Sequence, residues 1–256
     1  RRPVVTTIAR RQREAACVAL ALTIGAACGS ADAPGTATSR PSASADQGST
    51  ATALTADALA LDSAVGIVAV GCGPQPHRGI GGVLDATHVV TTAHTVAGST
   101  HVEVEIAEGS ALPAEVVLLD ELLDVALVRL EAEAGRPAVL DAGRPERDAD
   151  GVVAVHAPDG AGLETRAITV LRPVTIRTTD IHRRDPVERP GYELAATVEP
   201  GDSGTLVHVA GGAIGIVWAR STETPGRAWA VALPDTVTEP SARDALAGPV
   251  ATGECV

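Results

Sequence analysis

The residues best suited to chemistry lie in Glu199-Pro200-Gly201-Asp202-Ser203-Gly204, between an apolar alternating run that ends near Val198 and another that begins at Thr205. A turn in that place presents Ser203 at a sheet edge. A serine hydroxyl alone is a poor nucleophile. It needs an imidazole to take its proton, a buried carboxylate to orient the imidazole, and N–H donors for the oxyanion that develops on a carbonyl under attack. Gly201, free of a side chain, lets the backbone coil so that the amides of Gly201 and Ser203 point at one spot. The other two groups lie upstream. Val89-Val90-Thr91-Thr92-Ala93-His94 ends a strand with a histidine in a short turn, and Leu122-Leu123-Asp124-Val125-Ala126-Leu127 sets an acid at the start of a strongly apolar strand. Such an acid is partly buried and needs a partner, for which an imidazole Nδ1–H is well suited. Asp120 precedes the apolar run and is expected to be exposed, so Asp124 is the acid of choice. The elbow G-x-S-x-G of α/β-hydrolases fails here, because Thr205 stands where its last glycine belongs. A lone histidine after a strand is usually only a surface or hydrogen-bonded residue; His77, His88, His101, His156, His182 and His208 take that reading.

The elements that must position these groups are strands. Runs rich in Val, Ile and Thr, broken by Gly, Pro, Asp or Ser, fall at 65–71, 80–85, 87–92, 100–107, 114–119 and 122–130, and again at 151–156, 163–170, 173–178, 192–198, 204–209, 212–219 and 227–233. That spacing predicts an all-β sandwich or barrels rather than βαβ units. Ala132 to Asp150, rich in Gly, Pro, Arg and Asp, reads as a linker between two similar halves. Asp235 to Ala247 is the one helix predicted in the folded body. Packing must rest on Val, Leu, Ala and Ile, since aromatic residues are 1% of the chain and Phe and Met are absent.

The first residues read as an export signal. Arg1, Arg2, Arg10, Arg11 and Arg13 make a basic start, Ala15 to Ala27 an apolar run too short to span a bilayer, and Ala26-Ala27-Cys28-Gly29 a cleavage site. The end resembles a bacterial lipobox, which predicts lipidation at Cys28, although Gly25 stands where that motif usually has a large aliphatic residue. Residues 29–60, mostly Ala, Ser, Thr, Gly and Pro, read as a disordered tether, and 61–256 as the folded domain. Removing residues 1–27 takes away five Arg and one Glu and leaves a charge of -16 against -12 for the whole chain. So acidic a body argues against nucleic acid or anionic lipid as a partner. No His, Cys or carboxylate set has metal-ligand spacing. Cys72 and Cys255 remain for the folded body and either pair, as an oxidising compartment favours, or stay free thiols.

Thr92-Ala93-His94, Asp124-Val125-Ala126-Leu127 and Gly201-Asp202-Ser203-Gly204, in that order and spacing, resemble the trypsin-like (chymotrypsin-fold) serine proteases over roughly residues 64–237. Tyr192-Glu193-Leu194, Gly215-Ile216-Val217-Trp218-Ala219-Arg220-Ser221 and Ala228-Trp229-Ala230-Val231 are most similar to the membrane-tethered periplasmic proteases of the acid-resistance (MarP-like) type. The resemblance implies two six-stranded antiparallel β-barrels, about 64–133 and 150–234, with a short helix in the C-terminal segment 235–256. It implies Ser203 as nucleophile, His94 as general base and then acid, Asp124 as the orienting acid, and the amides of Gly201 and Ser203 as the oxyanion hole. No cofactor or metal is called for, a protein or peptide is the substrate, and the enzyme is expected to be a monomer, secreted or lipid-anchored outside the cytoplasm. It also implies a bridge between Cys72 and Cys255. The substrate pocket would be formed by Thr197, Trp218, Ala219 and Arg220; Thr197 at its base argues against preference for Lys or Arg. The chain departs from the family at Gly204-Thr205-Leu206, where Gly-Gly-Pro is usual, and it lacks the family's activation site, so Asp202 needs a partner other than a new N-terminus. Two alternatives follow: a binding module that has kept the fold and lost catalysis, and an esterase using the same triad.

Overall fold

The computed structural model describes residues 56–106, 109–141 and 143–256. The predicted signal peptide, Cys28 and nearly all of the tether therefore lie outside the described residues. Twelve strands close two barrels. β1 (Ala64–Val70), β2 (His77–Val83), β3 (His88–Thr91), β4 (His101–Glu105), β5 (Ala111–Asp120) and β6 (Val125–Leu130) close in the order β1-β2-β3-β6-β5-β4. β7 (Ala149–His156), β8 (Leu163–Thr179), β9 (Pro186–Ala195), β10 (Leu206–Val209), β11 (Gly212–Arg220) and β12 (Arg227–Ala232) close in the order β10-β11-β12-β9-β8-β7. All neighbours run antiparallel.

Side chains on a strand alternate between faces, so a strand that reads as a continuous apolar run must be covered on both. β3 and β6 show this directly. Val89, Ala126 and Val128 point into the first barrel, whereas Val90, Leu127 and Val125 point into the layer between the barrels. There they meet Leu206, Ile216 and Val231 of the second barrel, while Val153, Leu194, Val207 and Val217 fill that barrel's own interior. The strands that carry the candidate acid and histidine are thus fixed by two cores at once. Truncating a side chain such as Leu127 there costs about 2–5 kcal/mol.

Several expectations change in detail. The predicted strands 163–170 and 173–178 are one strand, β8, with a bulge between Val170 and Arg172. Pro173 does not end it, because a proline is tolerated beside a bulge where the ladder is already interrupted. The strand expected at 192–198 begins earlier, at Pro186, and pairs with β8 as far as Thr179. The helix expected over 235–247 is two short turns, Asp235–Thr238 and Pro240–Asp244. Pro240 forces Glu239 into extended backbone (φ -84°, ψ 117°), which breaks the first turn and starts the second. Two helical segments were not foreseen, one over 56–62 and one at Ala93–Val96.

The linker does not stand free. Ala138 N donates to Val83 O of the first barrel at 2.8 Å, and Asp141 N donates to Ala213 O of the second at 2.9 Å. Cys72 and Cys255 form a disulfide across 183 residues of chain, with Cα atoms 5.5 Å apart. Beside it Gly98 N donates to Thr252 O at 2.8 Å and Thr252 Oγ1 to Ser99 O at 2.7 Å, so the C-terminal segment is strapped to the loop that follows Ala93–Val96. Among the described residues no helix is long and apolar enough to cross a membrane.

Candidate active site

β3 ends at Thr91, and the short helix Ala93–Val96 follows with Ala93, Thr95 and Val96 buried. One turn of helix cannot bury all its faces, and His94 is the residue left looking outward from the first barrel. Asp124 lies across the β5–β6 turn. Asp120, the acid set aside from sequence, accepts from the amides of Leu122 (3.0 Å) and Leu123 (2.8 Å) and so shapes that turn. Asp124 has φ 59°, a left-handed conformation that Asp adopts more readily than most residues. This folds its carboxylate back on the histidine. Oδ1 accepts the His94 backbone N–H at 2.8 Å, and Oδ2 accepts from His94 Nδ1 at 2.8 Å. Nδ1 therefore carries a proton and Nε2 is free to accept one. Asp124 is only 2% exposed. Burial pushes its carboxyl up, but the hydrogen bonds and charge of His94, with the charge of Arg189, outweigh it and hold Asp124 below the usual range.

The serine turn comes from the second barrel. Pro200 and Gly201 occupy its two central positions, Gly201 has φ 104°, and Asp202 N donates to Glu199 O at 3.0 Å. Proline followed by a residue with positive φ is the type II arrangement, which sets the direction of the Gly201 N–H. Neither the Gly201 nor the Ser203 amide donates to an acceptor among the described residues. The turn is seated on the first barrel. Ile80 N donates to Ser203 O at 2.9 Å, and a Cβ on Gly204 would lie 2.1 Å from Ile80 O and 2.4 Å from Thr91 Oγ1. Ser203 thus sits against the end of β3, next to the helix of His94. Its hydroxyl makes no hydrogen bond to the imidazole here; Nε2 has Thr92 Oγ1 at 3.4 Å. Asp202, buried, finds its partner in the second barrel: Oδ1 accepts His156 N at 3.0 Å and lies 3.3 Å from His156 Nδ1, while Oδ2 accepts Glu199 N at 2.8 Å.

The residues expected to line a pocket are dispersed in role. Thr197 is exposed, and its carbonyl accepts from Arg166 Nη1 at 3.0 Å. Arg220 Nη1 is 3.7 Å from Glu199 Oε2, an exposed ion pair. Between Val217 and Ala219 the β11–β12 ladder shifts register, and Trp218, the residue at that bulge, turns its indole to Asp124, with Nε1 donating to Oδ2 at 2.7 Å. Arg189 and His156 were not singled out from sequence. Arg189 stands in an alternating polar strand where only the fold reveals that it faces inward, and His156 gave no signal beyond lying at a strand end. Among the described residues no cluster of His, Cys, Asp or Glu is arranged to hold a metal.

Two closed six-stranded barrels, with an Asp–His pair and a serine turn at their junction, define a trypsin-like peptidase fold. The chain belongs to the trypsin-like peptidase domain family, which matches residues 79–216. It is 30% identical over 181 residues to the serine protease Rv3671c of Mycobacterium tuberculosis, a match covering 70% of this chain and 45% of that protein. It is 26% identical over 141 residues to the serine protease Do-like HtrA of Lactococcus lactis, covering 54% of this chain and 35% of that protein. The chain therefore spans less than half the length of these curated relatives. The crystal structure of the Rv3671c protease in its active form aligns with a TM-score of 0.71 at 27% identity, covering 84% of this chain and 93% of that one.

Proposed function

We propose that the chain is a serine endopeptidase acting through His94, Asp124 and Ser203. The observation that carries this reading is the convergence at one junction of a carboxylate-bound imidazole and a serine turn whose Gly201 and Ser203 amides have no acceptor among the described residues. Ser203 Oγ attacks the peptide carbonyl carbon while His94 Nε2 takes the hydroxyl proton. Asp124 holds the imidazole by Nδ1 and stabilises the imidazolium; the amides of Gly201 and Ser203 receive the oxyanion. Collapse expels the amine, protonated by His94, and leaves an acyl group on Ser203. Water, deprotonated by His94, then releases the acid. The hydroxyl–imidazole hydrogen bond closes when substrate is bound, as such contacts commonly tighten only in the complex. The substrate is a protein or peptide and the enzyme a monomer. The basic start and apolar run of residues 1–27 support a location outside the cytoplasm, either lipid-anchored through Cys28 or secreted.

A fluorophosphonate probe tests this. The wild type is expected to be labelled at Ser203, and Ser203→Ala to lose labelling together with about a million-fold in peptide turnover. Peptide cleavage retained by Ser203→Ala would remove that residue from the mechanism.

A further inference from the structure

The second barrel grips the acid of the first. Trp218 Nε1 donates to Asp124 Oδ2 at 2.7 Å, the same oxygen that accepts from His94 Nδ1 at 2.8 Å. Arg189, from β9, lies over the indole with its guanidinium carbon 4.9 Å from the ring centroid, and its Nη1 is 3.7 Å from that oxygen. Arg189 is 1% exposed. Its remaining donors are fixed: Nε to Leu122 O at 2.6 Å, in the turn that carries Asp124, and Nη2 to Thr179 O at 3.2 Å. Burying a guanidinium in a core is costly, and an apolar side chain of similar volume often serves stability as well or better. Stability alone is therefore a weak reason for this arrangement, whereas its geometry addresses one carboxylate oxygen.

We propose that Trp218 and Arg189 are positioning residues that hold the Asp124 carboxylate in register with His94 and draw charge from it, so that His94 Nε2 is free to accept the Ser203 proton. The inference rests on the triad reading above. An N–H donor and a cation at Oδ2 weaken the pull of Asp124 on an imidazolium; removing either lets His94 keep its proton more tightly. The charged groups around the imidazole are Asp124 on the β5–β6 turn and, behind it, Arg189 on β9. The charges of Asp120 and Asp180 also bear on Arg189.

The test uses the full-length exported protein and the fluorophosphonate probe, measuring the maximal labelling rate and the half-saturating probe concentration across pH. Trp218→Phe keeps an aromatic ring under Arg189 and loses only the N–H donor. A hydrogen bond to a charged group corresponds to roughly a tenfold to hundredfold loss. The expected result is that fall in maximal rate with half-saturation unchanged, and an acid limb displaced to higher pH. Arg189→Met removes the charge at similar length and is expected to displace the limb the same way; should it not fold, Trp218→Phe decides alone. An unchanged rate and limb in Trp218→Phe would overturn the proposal, and so would a lower rate with the limb unmoved, which is the signature of packing. Failure of the wild type to label would instead overturn the peptidase reading.

Discussion

Two residues beside the nucleophile separate backbone conformation from contact. Gly201 has φ 104°, yet a Cβ built there would meet nothing closer than His156 Nδ1 at 3.7 Å. Gly201→Ala is therefore not excluded by space; it is strained by φ alone, and the turn can relieve that strain by rotating the peptide that carries the Gly201 N–H. The fold is expected to survive, while probe labelling falls about 100- to 1000-fold, the effect of losing one oxyanion donor. Wild-type labelling in that variant would show that the amide is not used. Thr205 is the converse case. Its Oγ1 is the buried side-chain oxygen without a hydrogen-bond partner among the described residues. Thr205→Val removes that hydroxyl while keeping the shape, and is expected to raise unfolding free energy by about 1 kcal/mol in urea titration without altering labelling. The pairing of His94 with Asp124 was legible because motif and chain order both constrain it. The direction of Trp218 was not, since it depends on a one-residue bulge that no composition signal marks.

Elements were legible where alternation was strong and blurred where a local exception overrode it. β6 and β7 read cleanly because an unbroken apolar run, Val125–Val128 in one and Val152–Val155 in the other, fills each. Pro173 hid the continuity of β8, and Pro240 split an expected helix. The unread link between elements with the most consequence is that between the end of β7 and the serine turn. Asp202 needed a partner, and His156, the last residue of β7, provides both its backbone N–H and its ring. Burial pushes the Asp202 carboxyl up, but the donors from His156 and Glu199 win and hold it below the usual carboxylate range. A depressed carboxyl contributes stability that is complete above its unfolded value and is lost as pH falls through the lower folded one. His156→Ala deletes the ring donor and keeps the backbone one, so the window narrows. The midpoint of acid unfolding is expected to move to higher pH, and probe labelling to fall with it because the turn loses a support. Circular dichroism followed from pH 5 to pH 2 checks the first; an unmoved midpoint would mean that the backbone N–H alone suffices.

At the scale of the molecule, two similar halves were legible from the repeated run of short strands, but their junction was not, because the middles of β3, β6 and β11 are buried on both faces, with Val89, Val128 and Val217 turned into the barrels and Val90, Leu127 and Ile216 turned into the seam. One polar group lies in the second barrel facing the start of the first. His208, on β10, is 2% exposed, and its Nε2 is 3.4 Å from Ser63 Oγ, just before β1. Because Ser63 spends its own proton on Leu59 O at 2.7 Å, its oxygen is left to accept, which assigns the neutral Nε2–H form to His208. Burial without a carboxylate partner pushes the imidazole down from 6.5 to about 4. The sign follows from proton counting. Between pH 6.5 and 4 the unfolded chain binds a proton at His208 that the folded chain refuses, so stability is complete above 6.5 and is lost as pH falls towards 4. A shift of that size corresponds to on the order of 3 kcal/mol. His208→Leu keeps the site apolar and cannot be protonated. Urea unfolding at pH 7 and at pH 4.5 is expected to show a large loss of stability on acidification in the wild type and a distinctly smaller one in the variant. Since Ser63 immediately precedes β1 and β10 follows the serine turn, the same acid step is expected to loosen the seam between the barrels before either barrel melts. Hydrogen exchange at Ile80, whose amide bonds to Ser203 O across the seam, would report it: faster exchange at pH 4.5 in the wild type, abolished in His208→Leu. Equal slopes in the two proteins would show that the seam is indifferent to this histidine and that carboxylates alone govern the acid limit.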